Sequence, residues 1–150
     1  MKIEEAIKQT KFESAHQKAF INILYTANWL RDHQELVFKK HEILAQHYNI
    51  LRILKGSHPK PVSPGQIKEV MLDKGTDVTR LIDKLVKKNL VKRHLCEDNR
   101  RKIDVHITKE GLNFLAELSD PLKKILTRIK KNISEKEAEQ LSKFLDTLRD

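Results

Sequence analysis

From Val78 to Val86 the apolar residues Val78, Leu81, Ile82, Leu85 and Val86 fall at i, i+3, i+4, i+7 and i+8 without a miss. That interval puts them on one face of an α-helix, and a strand would scatter them over both of its faces. The opposite face carries Thr79, Arg80, Asp83, Lys84 and Lys87. Thr76 is available to cap the start, and Asn89 tolerates the left-handed backbone that ends a helix. The segment is therefore a short helix, apolar inside and basic outside.

Just upstream, "SPGQIKEVMLDKG" carries its own start signals. Ser63 is a plausible N-cap, Pro64 sits at the first helical position and Gln66 completes a capping box. Ile67, Val70 and Met71 form the expected buried face, and Gly75 is the expected stop. Two short helices about a brief "DKG" turn have the shape of a helix-turn-helix. Downstream, Ile103, Val105 and Ile107 alternate with Asp104 and His106, as a half-buried strand does. With "LVKRHL" it makes a hairpin appended to the helix-turn-helix, which is a winged helix. Its tip, "EDNRRK", has no glycine and is longer than a tight Asn-Gly turn. Two adjacent arginines on a narrow ribbon suit a narrow DNA minor groove; by itself the tip could equally be a solvated hairpin end.

The flanks read as helix. From about Glu4 to Arg31, Phe12, Ala15, Ala19, Phe20, Ile23, Leu24, Ala27 and Leu30 recur at three- and four-residue steps, predicting one helix of roughly 40 Å. "RDHQELVFKKHEI" reads as a weakly patterned connection. Leu44, Tyr48, Leu51 and Leu54 share a stripe, and Gly56, Pro59 and Pro61 then break into a loop. After Thr108, Leu112, Leu115 and Leu118 lead to Pro121, expected to kink or split the helix, and Leu122, Ile125, Leu126 and Ile129 continue it. Ser134 and Glu137 form a capping box that opens a last helix with Ala138, Leu141, Leu145 and Leu148. These outer helices carry more apolar stripe than one small domain can use, so dimerisation is expected. The expected class is mainly α with a small β-hairpin wing, a winged helix-turn-helix flanked by N- and C-terminal dimerisation helices.

At 150 residues the chain is the size of one domain. A net charge of +9 points to a polyanion partner, nucleic acid first and an anionic membrane surface second, with an inert basic surface as the bland alternative. A single cysteine excludes an internal disulfide and a cysteine-rich zinc site. Neither a signal peptide nor a stretch of ~20 apolar residues is evident, so a cytoplasmic protein is expected. A membrane-surface helix would need a lysine-rich polar face with aromatic anchors, and none is evident. There is no glycine-rich phosphate loop, no GxSxG motif and no recognisable carboxylate pair, so neither an enzyme nor a cofactor is expected. His41 and His47 are six apart and miss the HExxH spacing, and His94 with Cys96 makes too few ligands for a closed site. Surface histidines are expected, and no metal. Arg93 and Arg100 could lower the thiol pKa of Cys96, but a bystander is expected there.

Taken in order and spacing, "LAQHYNILRIL", "VTRLIDKLVKKNLVKR" and "EDNRRKIDVHITKEG" resemble the MarR-type (multiple antibiotic resistance regulator) family. The resemblance implies a single domain over 1–150, with a winged-helix DNA-binding lobe at about 44–111. A helical dimerisation lobe would come from about 1–35 and 112–150. It implies a homodimeric, ligand-responsive regulator, most simply a repressor, on a pseudo-palindromic stretch of double-stranded DNA. The second helix of the helix-turn-helix would lie in the major groove and the wing against the minor groove. The residues expected at DNA are Ser63, Gln66, Thr76, Thr79, Arg80, Lys84, Lys87, Arg100, Arg101 and Lys102. Arg80 is expected to read a base, whereas Lys84, Lys87 and Lys88 would sit on phosphates.

By position, Arg101 stands where the family has its wing arginine. The aspartate usual two residues before it is Asn99 here, with Asp98 one position earlier. The usual glycine after the recognition helix is Asn89, and the usual small alanine of the preceding helix is Lys68, expected to loosen its packing slightly. Trp29, His33 and Tyr48 fall in the region where members bind small lipophilic or phenolic effectors; packing between helices is the other reading of these aromatics. A winged helix used as a protein-interaction module, or as a non-specific DNA binder, is the alternative to a specific regulator. An interaction module would need an exposed apolar patch where the Thr76–Asn89 segment offers a basic one.

Overall fold

The computed structural model describes residues 1–95 and 103–150. Its elements run α1 (Ile3–Ile7), α2 (Ala15–Lys39), α3 (Ala45–Ser57), α4 (Pro64–Val70), α5 (Val78–Lys87), β1 (Val91–Leu95), β2 (Ile103–Ile107), α6 (Lys109–Asn132) and α7 (Glu135–Thr147). Among the described residues it is a mainly helical protein with one antiparallel hairpin, the winged-helix class that the patterning indicates.

The strongest periodicity gives the helix it predicts. Val78, Leu81, Ile82 and Leu85 of α5 are buried, and Asn89 has the left-handed φ of 57° that ends it. The cap is Asp77 rather than Thr76: its carboxylate accepts from the Arg80 N–H at 3.1 Å. Ser63 and Gln66 form the expected capping box on α4. This helix stops at Val70, before Gly75, and Val70 is exposed while Ile67 and Met71 are buried. Fewer than two full turns bring only the i, i+4 pair onto the core. Lys68 is exposed, so it cannot loosen the packing as expected.

Strands β1 and β2 pair in the register Val91↔Ile107, Arg93↔Val105, Leu95↔Ile103. Val62 adds a further rung, its N–H donating to the Val105 carbonyl and its carbonyl accepting from the Val105 N–H, both at 3.0 Å. The main core lies between α3, α4, α5 and this sheet, around Ile50, Leu51, Leu54, Ile67, Ile82, Leu85 and Val105. A smaller cluster of Phe38, Ile43 and Leu118 joins α2 and α6 beside the start of α3.

Three expectations are corrected. The helix predicted from Glu4 to Arg31 is two helices: α1 ends where Lys8 turns left-handed (φ 54°), and α2 begins after Ser14. The Ser14 hydroxyl accepts from the Gln17 N–H, and the Gln17 side chain accepts from the Glu13 N–H at 2.8 Å. The supposed connection after Arg31 is helix as far as Lys39. Arg, Gln, Glu, Leu and Lys are strong helix formers, and the stripe resumes at Val37 and the buried Phe38. Lastly, of the two outcomes expected at Pro121, the split does not occur: α6 runs through it. Proline forfeits one backbone bond, yet Leu118 before it and Leu122 after it pack on the same cluster and hold both halves.

Candidate nucleic-acid interface

The outer face of α5 is set by what its inner face buries. With Val78, Leu81, Ile82 and Leu85 fixed in the core, a helix must turn Thr79, Arg80, Lys84 and Lys87 outward, and all four are exposed. The acids of this segment are engaged locally. Asp77 caps the helix, and Asp83 forms an ion pair with Arg93 of β1. What α5 presents outward is therefore cationic.

The segment from Met71 to Thr76 is wider than the expected turn, and α3 holds it. The Asn49 side chain accepts from the Leu72 N–H at 2.9 Å, and the Gln46 amide donates to Asp73 at 3.2 Å. Asp73 also accepts from the Gly75 N–H at 3.1 Å. The Gln46 amide foremost, then the Gly75 N–H, keep this exposed carboxyl below its usual range. Sequence reasoning missed Gln46, Asn49 and Asp73. The only signal for Gln46 and Asn49 was their place on the stripe-free side of α3, and Asp73 had none beyond its place in the turn.

Ser63 and Gln66 stand at the start of α4, their side-chain oxygens already engaged in the capping box. Thr76 lies before α5 and is half-buried; its hydroxyl lies near enough to Asp73 to favour the ionised carboxylate, but at no hydrogen-bond geometry. Lys88 departs from expectation. Its ammonium turns inward, donating to the His41 carbonyl at 3.2 Å and standing 3.6 Å from Glu42. Arg100, Arg101 and Lys102, together with Cys96, Asp98 and Asn99, lie outside the described residues.

His47 is not the surface histidine expected. It is 2% exposed, and its Nδ1 accepts from the Leu44 N–H at 2.9 Å, which closes the start of α3. Burial, with Lys84 and Lys88 nearby, lowers its pKa to about 4, so it is neutral at pH 7. On the hairpin, His94 and His106 meet edge to face at 5.8 Å. Among the described residues no group of three His, Cys, Asp or Glu side chains is placed to hold a metal ion.

The aromatic trio falls into two groups. Trp29 and His33 pack on each other with ring centroids 4.3 Å apart, and the Arg128 guanidinium lies over the Trp29 ring at 5.1 Å. Tyr48 instead packs against Phe38 and lines a cleft of about 500 Å³ between α3 and α6, with Arg52, Lys55, Leu115, Leu122 and Lys123. No described helix is long and apolar enough to cross a membrane.

Comparison with known proteins bears on this surface. A sequence model of the MarR family matches residues 41–102, which hold α3 to α5 and the first strand. The HTH-type transcriptional regulator MgrA of Staphylococcus aureus is 28% identical over 115 residues, 77% of this chain and 76% of that one. A mutant of E. coli MarR complexed with operator DNA superposes with a TM-score of 0.71 over 85% of this chain and 91% of that one; at 21% identity it speaks for the fold alone. The crystal structure of a MarR transcription factor from Planctomyces limnophilus is 31% identical, covers 91% of this chain and 99% of its own, and superposes with a TM-score of 0.70. With the winged helix, the basic α5 and these likenesses together, the chain belongs to the MarR family of winged-helix transcription regulators.

Proposed function

We propose that the protein is a homodimeric, cytoplasmic regulator that binds double-stranded DNA sequence-specifically and releases it when a small ligand binds. One observation carries the reading: α5 buries a complete apolar face and turns Thr79, Arg80, Lys84 and Lys87 outward together. Arginine reads guanine bidentately in the major groove, and lysines neutralise phosphates, so Arg80 is assigned the base contact and Lys84 and Lys87 the backbone. Thr76, Thr79, Ser63 and Gln66 are assigned to the same DNA contact by the family resemblance. Arg100, Arg101 and Lys102 are assigned to the wing contact by the family resemblance.

The homodimer is supported by apolar residues that the chain leaves uncovered: Phe20, Leu24 and Tyr25 on α2, Leu126 on α6, Leu141 and Phe144 on α7, and Leu148 just after it. Two copies related by a twofold axis would place their α5 helices in successive major grooves and read half-sites ~10 bp apart. The cleft at Tyr48, apolar on its Leu115 and Leu122 side and cationic at Arg52, Lys55 and Lys123, suits a small lipophilic or phenolic ligand carrying an acidic group. A ligand that binds one spacing of the two lobes better than the other shifts the population and with it the DNA affinity. Such release makes a repressor the simplest regulator.

The test is selection of DNA from a random pool by the purified protein, with sedimentation to read its mass. A twofold-related sequence bound at least about 10³-fold more tightly than its shuffled control, by a dimer, is expected. Equal, weak binding to both with one steep salt slope would reduce the surface to a polyanion footprint.

A further inference from the structure

The C-terminal end of α5 is held more elaborately than a helix end requires. A helix leaves its last carbonyls without intrahelical partners, and here the first turn of α6 takes up the chain that follows. The Thr108 hydroxyl donates to the Asn89 carbonyl at 2.7 Å, and the Thr108 N–H donates to the Leu90 carbonyl at 3.1 Å. The same hydroxyl accepts from the Gly111 N–H at 2.9 Å, so one side chain both caps α6 and ties down the end of α5. Thr108 is buried, and Gly111 lies so close to the Leu90 carbonyl oxygen that any Cβ there would overlap it. This close approach, rather than a special φ, is why glycine stands at 111.

Lys88 makes the second attachment. Its ammonium reaches back to the His41 carbonyl and to Glu42, in the turn between α2 and α3. The His41 ring in turn meets Phe114 of α6 edge-on at 5.4 Å. The end of α5 is thus joined to α6 directly and to the α2–α3 turn through Lys88, and those two elements touch each other. At its other end, where Arg80 stands, α5 has the Asp77 cap.

We propose that Thr108, Gly111 and Lys88 form a clasp that fixes the attitude of α5 to α6, making them positioning residues for DNA recognition rather than DNA contacts. This rests on the DNA-binding reading above and reassigns Lys88 from phosphate contact to strut. A 24-residue α6, ~36 Å long, reaches from this clasp past Leu118 to the exposed apolar helices. Through the clasp, any change in the angle of α6 is passed to α5. In a dimer that would fix the spacing between two recognition helices.

The test uses full-length protein and the DNA that wild type selects from a random pool. Affinity is followed against salt for wild type, Lys87→Met, Lys88→Met, Lys88→Arg, Thr108→Val and Thr108→Ser. The same series is read on a copy of the site with one base pair inserted at its centre. Losing a phosphate contact lowers the log–log salt slope by about 0.9, and that is expected for Lys87→Met. Lys88→Met and Thr108→Val are expected to weaken the selected site about tenfold with the slope unchanged. They should also narrow the preference for the native over the lengthened site. Thr108→Ser and Lys88→Arg should restore both.

Three results would overturn the clasp. One is a slope drop for Lys88→Met equal to that of Lys87→Met. Another is a Thr108→Val protein that merely melts earlier while keeping its affinity and spacing preference. The third is a Thr108→Ser protein no better than Thr108→Val. Should Thr108→Val fail to fold, Lys88→Met decides by its salt slope and spacing preference, and Lys88→Arg must restore the wild-type values of affinity and spacing preference or the clasp is overturned. A wild type that selects no sequence refutes the DNA-binding reading, and the clasp's role with it, before any variant is compared.

Discussion

The two halves of α6 carry similar apolar stripes and meet different fates. Leu115 and Leu118, in its first half, are buried against the winged-helix core and the Phe38 cluster, whereas Leu126, beyond Pro121, is 57% exposed. The contrast extends to the neighbours. α5 buries four apolar residues in ten, while α7, of thirteen residues, buries none and leaves Phe144 63% exposed. Periodicity alone does not distinguish these helices. One group packs on its own chain, and the other keeps a face of the kind that a second copy would cover. Burying a large apolar side chain is worth about 1.5–3 kcal/mol, so uncovered faces on this scale are the energetic argument for association.

That comparison can be broken in several ways. The largest effect is expected at the core of α5: Ile82→Ala should lower unfolding free energy by about 2–5 kcal/mol, read by denaturant titration. A loss no greater than for Leu141→Ala would erase the distinction between the packed and the uncovered helices.

Next in size is the pH dependence of His47. Its folded pKa of about 4 lies below the ordinary 6.5, so the unfolded chain takes up the proton first. Stability from this group is therefore complete above pH 6.5 and declines as pH falls towards 4, by an amount on the order of 3 kcal/mol. His47→Asn, which keeps an acceptor near the Leu44 N–H, should flatten the difference in stability between pH 7 and pH 4.5. An unchanged pH profile would place the proton uptake elsewhere.

Phe144→Ala sharpens the other side of the comparison. It should raise the dimer dissociation constant ten- to a hundredfold in sedimentation, with the unfolding free energy of the winged helix unmoved. Smallest is Ser134→Ala, which removes the cap of α7 and should cost about 1 kcal/mol, seen as faster amide exchange in that helix alone.

How far the residues foretold this depends on how locally each feature is determined. α5, the Ser63 and Ser134 capping boxes, the left-handed Asn89 and the alternating β2 all follow from side chains within one or two turns of each other, and each appears where the sequence puts it. The misses are non-local or thinly marked. The break between α1 and α2 contains neither glycine nor proline, and its one marker was Ser14 followed by Gln17. The end of α2 was hidden because a polar stretch separates Leu30 from the buried Phe38.

His47 looked like any polar residue on α3, since its burial and the nearby charges of Lys84 and Lys88 come with the folding of the rest of the chain around it. Lys88 looked like one more basic residue of α5 until the α2–α3 turn arrived beside it. At the candidate site, the outward face of α5 was therefore legible. The struts behind it, namely Gln46, Asn49, Thr108 and Gly111, were not, because each acts on a group far along the chain that its local sequence does not point to: the Asp73 carboxylate for Gln46, and backbone groups for the other three.

The central claim, that α5 reads DNA through its outward face, is tested most directly by comparing Arg80→Ala with Lys124→Ala. Each removes one positive charge from an exposed position, the first on α5 and the second on α6. The quantity to measure is the ratio of affinities for the selected site and its shuffled control, at one salt concentration. A bidentate arginine–guanine contact is worth about 1–3 kcal/mol of discrimination, so Arg80→Ala should cut that ratio roughly five- to a hundredfold while Lys124→Ala leaves it intact. Equal losses in both would show that overall charge, and not the face of α5, is what DNA meets.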